Sequence, residues 1–265
     1  NMNNSVKYLL YLIFIFIIGF LYFQMKTENQ NSKLVDFTSD TSLNDSPQGE
    51  IVPRYPIPDI EINNIEKSNL ISLPPIAESD EYLRLELSDL IVDELFSLLT
   101  KSNLVEKVAA TIDNLPRAYL AERMRPISIE SEKFIVEAQG TLDGFILSKK
   151  NYERYDTLVD NLEVIDKSSL AEIYLRFYPL FQEAYQDLGY PDVYFNDRLI
   201  DVIDHLLDTP EVNDPIILHT PNNLYEYVHP EIESLSSGQK LLIRMGKRNT
   251  NRIKQFLIEF RALIS

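Results

Sequence analysis

DKSSLAEIYLRFYPLFQEAYQDLGYPDVYFNDRLIDVIDHLLDTPE, residues 166 to 211, decides the fold class. Asp166 stands where a helix N-cap belongs, and apolar residues recur at helical spacing from Leu170 to Leu188. Pro179 predicts a kink or break inside that helix. Gly189 is placed as its C-terminal stop, with Pro191 two residues beyond. A further helix is expected over about Val193 to Leu207, ending before Pro210. At 100° per residue, Phe195, Leu199, Val202, Ile203 and Leu206 share one face, and Asp197, Asp201, Asp204 and Asp208 form a stripe opposite to it.

Working outward, the period continues on both sides. Ser79 is expected to cap a helix carrying Tyr82, Leu83, Leu87, Leu90 and Ile91. Ser102 is expected to cap a second helix, whose face is Leu104, Val105, Val108, Ala109, Ile112 and Leu115. Tyr152 to Ile165 reads as another helix, and Pro230 to Met245 and Thr250 to Ile264 as the last two. Between them lie two β-prone pairs. FIVEAQ (134–139) and GFILS (144–148) flank Gly140, Asp143 and Gly144; IILHT (216–220) and LYEYV (224–228) flank Pro221-Asn222-Asn223. Each pair predicts a small hairpin. The expected fold class is mainly α: a helical domain over residues 76–265 with two small β-hairpins, preceded by one transmembrane helix and a flexible linker.

The transmembrane helix is read from Tyr8 to Phe23, YLLYLIFIFIIGFLYF, sixteen apolar or aromatic residues bracketed by Lys7 and Lys26. Its twelve Leu, Ile and Phe residues contribute roughly −4 to −7 kcal/mol toward insertion. Sixteen residues span only about 24 Å, but Val6 to Met25 reaches across a bilayer if Lys7 snorkels. No small-x-small cleavage site follows, so an uncleaved anchor over residues 1–26 is expected rather than a signal peptide. The leading segment is basic and short, which favours a cytoplasmic N-terminus and places the remainder beyond the inner membrane. Residues 27–75 carry six of the fourteen prolines among Asn, Ser, Thr and Asp, and read as a disordered tether. Its apolar residues Ile60, Ile62 and Ile65 suit docking on a partner or on the domain.

Composition narrows the chemistry. Cysteine is absent, which removes disulfides, thiolate metal sites and cysteine nucleophiles. The net charge of −16 is uneven: Gln239 to Ser265 carries seven bases against Glu259 for a net of +6, leaving −22 for the first 238 residues. Nucleic acid is not an expected partner of such a surface. LSSGQ (235–239) has the form of the signature loop of ATP-binding cassette proteins. No G-x-x-x-x-G-K-[ST] accompanies it, so Ser236 or Ser237 is read as a helix cap. His205, His219 and His229 form no H-E-x-x-H, and no G-x-S-x-G is present.

Three fates are open to the acidic stripe: a cation with His205 joining Asp201 as ligand, pairing with the basic C-terminal helix through residues such as Arg248 and Arg252, or exposure to solvent. Like charges at i,i+4 repel by a few tenths of a kcal/mol, so a counter-charge is expected to matter. Tyrosines 174, 178, 185, 190 and 194 crowd the same region. Aromatic rings beside acids line glycan or peptide grooves, and more often they are core residues with a satisfied hydroxyl. The interaction candidates are therefore Tyr185, Tyr190, Asp197, Arg198, Asp201, Asp204 and His205, with no catalytic residue, metal ligand or cofactor assigned.

RFYPLFQEAYQDLGYPDVYFNDRLIDVIDHLLDTPE (176–211), with LPPIAESDEYLR (73–84), VEKVAATIDNLPR (105–117) and LSSGQKLLIRMGKRNTNRIKQFLIEFRALI (235–264), resembles a bacterial family known as domain of unknown function 3014 (DUF3014). The resemblance spans about Leu73 to Leu263. It implies single-pass, Pro-linked envelope proteins and carries no activity or catalytic residues. The expected function is an interaction or scaffold module of the bacterial envelope, anchored by Tyr8 to Phe23, its domain periplasmic, its partner an unidentified envelope protein or glycan. The alternative is a carboxylate-dependent envelope hydrolase, or a glycan- or peptide-binding protein. A hydrolase would need Glu183, Asp187, Asp197 and Asp201 in one cleft.

Overall fold

The computed structural model describes residues 52–58, 73–88, 100–118, 134–138, 144–163, 166–221 and 224–265. The anchor reading at Tyr8 to Phe23, most of the tether, and Ile60, Ile62 and Ile65 lie outside the described residues. Among the described residues no helix is long and apolar enough to cross a membrane.

The described chain is mainly helical with one small antiparallel sheet. A 3-10 turn, Ile76–Glu78, leads into α1 (Ser79–Ser88), followed by α2 (Leu104–Asn114), β1 (Val136–Ala138), β2 (Phe145–Leu147), α3 (Lys150–Glu153) and α4 (Asp156–Glu163). Then come α5 (Lys167–Asp187), α6 (Phe195–Leu207), β3 (Ile217–His219), β4 (Glu226–Tyr227), α7 (Pro230–Glu233) and α8 (Ser237–Ile264). Helices α5 and α6 pack together between α2 and α8.

The apolar face read on α6 is the buried one: Phe195, Leu199, Val202, Ile203 and Leu206 all lie in the core. Full burial of each such side chain contributes about 1.5–3 kcal/mol, which outweighs any mid-helix propensity. Aromatic rings knit α5, α6 and α8 together. Phe181 stacks on Phe195 at 5.6 Å, and Tyr174 meets Phe260 edge-on at 6.1 Å.

Local end signals hold for α5. The Asp166 carboxylate accepts the Ser169 N–H at 2.8 Å, and Gly189 closes the helix at φ 103°. Pro179 neither breaks nor ends it, for the helix runs on to Asp187. The proline removes one N–H donor, and packing on both sides retains the rest.

Caps at α1 and α2 differ from expectation. Ser79 is the first residue of α1, and its buried hydroxyl makes no hydrogen bond among the described residues. Ser102 does not cap α2. The helix starts after Asn103, which sits at φ 57°, and the Asp80 carboxylate accepts the N–H groups of Asn103 and Leu104, both at 2.7 Å. An acid from α1 thus caps α2 across more than twenty residues, meeting the orphan donors and favouring the positive end of the helix dipole.

Ser236 is the cap of α8, and Gln239 completes a capping box with it. The Ser237 and Gly238 N–H groups donate to the carbonyls of Arg117 at 2.7 Å and Leu115 at 3.0 Å. The start of α8 therefore satisfies the end of α2. Gly246 (φ 80°, ψ 154°) is not helical and divides α8 into two helical stretches, so the expected boundary between Met245 and Thr250 holds, whereas the expected start at Pro230 is the separate short α7.

The two expected hairpins are one sheet. Both form, but β2 also pairs antiparallel with β3 through Phe145↔Leu218 and Ile146↔Ile217, giving the order β1-β2-β3-β4. Isolated hairpins of two or three pairs are marginal in water, and joining them removes two free edges. The sheet covers a second apolar cluster of Leu147, Ile216, Leu218, Tyr227, Ile232 and Ile243.

The acidic stripe on α6 does pair with the basic C-terminal helix, but through Arg261 on Asp204 and not through Arg248 or Arg252. Arg252 bonds Glu163 and, at 2.7 Å, Asp160, while Arg248 lies 3.9 Å from Asp156; all three acids belong to α4. Position along α8 decides this, since these residues fall in the half that packs on α4.

Candidate functional site

Where α6 meets the end of α8, the chain holds one of its own earlier segments. Val52 to Pro58 (VPRYPIP), read from sequence as part of the tether, lies along α6. Alternate residues turn inward: Pro53, Tyr55 and Ile57 are half-buried, whereas Val52, Arg54 and Pro56 are exposed. Tyr55 and Ile57 pack against the main core.

Polar contacts to the main chain fix this segment. The two carboxylate oxygens of Asp197 accept the N–H groups of Arg54 at 3.0 Å and Tyr55 at 2.9 Å. Asn196 Nδ2 donates to the carbonyls of Tyr55 and Ile264, each at 2.9 Å, while its Oδ1 accepts the Tyr174 hydroxyl at 2.9 Å. Asn196 is fully buried, and only a tenth of the Asp197 side chain is exposed. Both are therefore committed to geometry rather than solvation.

Side-chain contacts surround that main-chain clamp. Arg54 reaches Asp201 at 2.6 Å. Arg261 forks onto Asp204 at 2.6 and 2.9 Å and places its guanidinium 5.5 Å from the Tyr55 ring centre, with the Arg54 guanidinium at 5.7 Å from the same ring. Hydrogen bonding to Asp201 raises the Arg54 pKa, and to Asp204 that of Arg261, so both stay cationic. The exposed Arg54–Asp201 pair contributes little in water; Asp197, Asn196 and the Tyr55 ring carry the contact.

The other candidates sit on different neighbours. Arg198 Nε donates to the buried carboxylate of Asp113 at 2.8 Å, and its NH2 to the Asp113 carbonyl at 2.5 Å. Arg117 donates to Asp113 at 2.8 Å and to the Tyr190 hydroxyl at 3.1 Å. Tyr190 stacks on Tyr185 at 4.8 Å. Tyr185 is a core residue, and burial pushes its hydroxyl up to about 12.

His205 faces Ser236, Nε2 to Oγ 2.8 Å. That hydroxyl accepts the Gln239 N–H at 3.2 Å, so its own proton is free to point at a neutral imidazole. Ser236 is buried and serves the cap, which makes the pair structural. Burial pushes the His205 pKa down, with Asp208 opposing and Arg198 adding to the shift. A depressed imidazole binds its proton more readily in the unfolded chain. The stability tied to neutral His205 is present above the unfolded value of about 6.5 and is lost as pH falls through it. Thermal unfolding by circular dichroism should therefore show Tm falling from pH 7 to pH 5, and His205→Gln should flatten that fall. An equal fall in the variant removes the assignment.

The candidates thus divide into three groups: Asp197, Asp201 and Asp204 around Arg54, Tyr55 and Arg261; Arg198, Tyr190 and Tyr185 around Asp113 and Arg117; and His205 on Ser236. Among the described residues no three His, Asp or Glu side chains group as metal ligands, and His205 does not join Asp201. Glu183 and Asp187 are exposed on α5, whereas Asp197 and Asp201 are both engaged with Arg54 on α6, so no hydrogen bond or ion pair among the described residues joins the α5 acids to the α6 pair. Arg54, Tyr55, Asp113 and Asn196 were missed by sequence reasoning. The Pro-Arg-Tyr-Pro spacing was the signal for the first two; nothing local marks the others.

Comparison with known proteins adds a family and no activity. A family model described as a protein of unknown function, DUF3014, matches residues 104–261. No curated protein matches the chain, and no solved structure does.

Proposed function

Since the chain belongs to the DUF3014 family, we propose that it is a membrane-anchored interaction or scaffold module of the bacterial envelope. Tyr8 to Phe23 anchors it in the inner membrane, and the helical domain works on the periplasmic side with an envelope protein as partner. The observation that carries the reading is the clamp on α6. Asp197 and Asn196 hold the main chain of a segment bent at Arg54 and Tyr55 by its N–H and C=O groups, which is the chemistry of peptide recognition. The apolar run near the start supports the anchor, and the basic leading segment supports the orientation.

Two measurements test it. A reporter active only outside the cytoplasm, fused after Ser265, should be active; activity of a cytoplasm-restricted reporter in its place overturns the placement. In-cell crosslinking from Val52 or Pro56, exposed on the segment that lies along α6, should yield a discrete adduct with an envelope protein, and a domain that forms none under conditions that crosslink known assemblies overturns the scaffold reading.

A further inference from the structure

We infer that the α6 edge is a peptide-binding site for Pro-Arg-Tyr-Pro-type segments, with Val52–Pro58 seated in it as an exchangeable resident ligand. The inference deepens the interaction-module reading and rests on it for the kind of partner, not for the site itself.

Three features separate this contact from ordinary chain packing. First, recognition is directed at the peptide unit: one carboxylate takes two successive N–H groups, and one amide takes the carbonyl that follows the second of them, that of Tyr55. A main chain bent at two successive residues, as at Arg54 and Tyr55, turns these groups to one side. Second, most of the receptor side is held from within the domain. Asn196 is held by Tyr174 and by the Ile264 carbonyl, and Arg261 by Asp204, whereas the bonds of the buried Asp197 carboxylate among the described residues all go to the segment, so a departing segment leaves an acceptor that another peptide's N–H groups must fill. Third, selectivity comes from a few side chains. Tyr55 meets Arg261, Arg54 meets Asp201, and Pro53 and Pro56 flank them. Proline offers no N–H to leave unpaired and lowers the ordering cost of the ligand by fixing its own φ.

Covalent connection sets the competition. Fourteen residues separate Pro58 from Leu73. A connection of that length gives the resident segment an effective concentration on the order of millimolar. A free peptide of the same sequence is then excluded at micromolar concentration unless the resident is weakened.

The test uses the full chain in detergent and a fluorescent peptide of residues 51–58, IVPRYPIP, read by anisotropy. The double variant Arg54→Ala, Tyr55→Ala should bind it at least tenfold tighter than the unaltered chain. Adding Asp197→Ala should lose at least tenfold of that affinity, and a peptide with Ala at both the Arg and Tyr positions should not bind. Equal affinity for the unaltered and double-variant chains, or binding indifferent to Asp197, overturns the site. Should a variant fail to fold by circular dichroism, hydrogen exchange of the unaltered chain decides. The Arg54 and Tyr55 amides should exchange at least a hundredfold faster than core amides of α5. If they exchange only with the core, the segment is a fixed part of the fold and the inference fails. Both readouts are independent of membrane topology, so a wrong placement and a wrong site give different results.

Discussion

Gly246→Ala should destabilise the domain by about 3–5 kcal/mol, measured by urea unfolding followed by circular dichroism. Gly246 bends α8 at φ 80°, ψ 154°, a backbone region that residues with a Cβ enter at a cost of about 1–3 kcal/mol. The added methyl would also lie 2.7 Å from Tyr152 Cγ. That ring cannot simply yield, because its hydroxyl donates to Asp214 at 2.7 Å. Overpacking of this kind adds about 1–3 kcal/mol.

Two controls separate the terms. Gly189 has φ 103° but open space around its missing Cβ, so Gly189→Ala should show the backbone cost alone, about 1–2 kcal/mol. Combining Gly246→Ala with Tyr152→Ala should cost less than the two changes added together, since the second removes what the first strikes. A loss at Gly246 no larger than at Gly189 contradicts the close approach.

Asp113→Ala should cost about 2–4 kcal/mol. Asp113 is 4% exposed and accepts charged hydrogen bonds from Arg198 and Arg117. Its removal leaves the Arg198 guanidinium, three-quarters buried, with only the Asp113 carbonyl. Breaking one side of a buried pair typically costs about 3–5 kcal/mol, lowered here by the exposure of Arg117. A double-mutant cycle with Arg198→Ala should return a coupling of at least about 1 kcal/mol. Additive effects would mean the pair contributes nothing beyond its packing. This network joins the end of α2 to α6, and the start of α8 rests on the Leu115 and Arg117 carbonyls just beyond it, so its loss should also loosen the α8 cap.

Legibility followed the range of the interaction. The buried face of α6, the Asp166 cap, the Gly189 stop and the Ser236 cap were all readable, because each depends on neighbours within a turn or two. Pro179 was readable as a cost but not as an outcome, since packing on α5 outweighed it. At the candidate site the residues Asp197, Asp201 and Asp204 were visible as an acidic stripe, but not their partners. A carboxylate attracts any cation within reach, and the sequence lists Arg54, Arg248, Arg252 and Arg261 without saying which fold position brings close.

Residue order alone determined the helical class, the strand-prone pairs, the family resemblance and the unusual apolar run near the start, since periodicity and composition are local properties of a chain. The tertiary structure decided that Asp80 caps a helix it does not belong to, that two hairpins share one sheet, and that a Pro-flanked segment lies across α6. Each of these joins groups far apart along the chain, and such bonds leave no periodic trace because their geometry exists only once the core has brought the elements together.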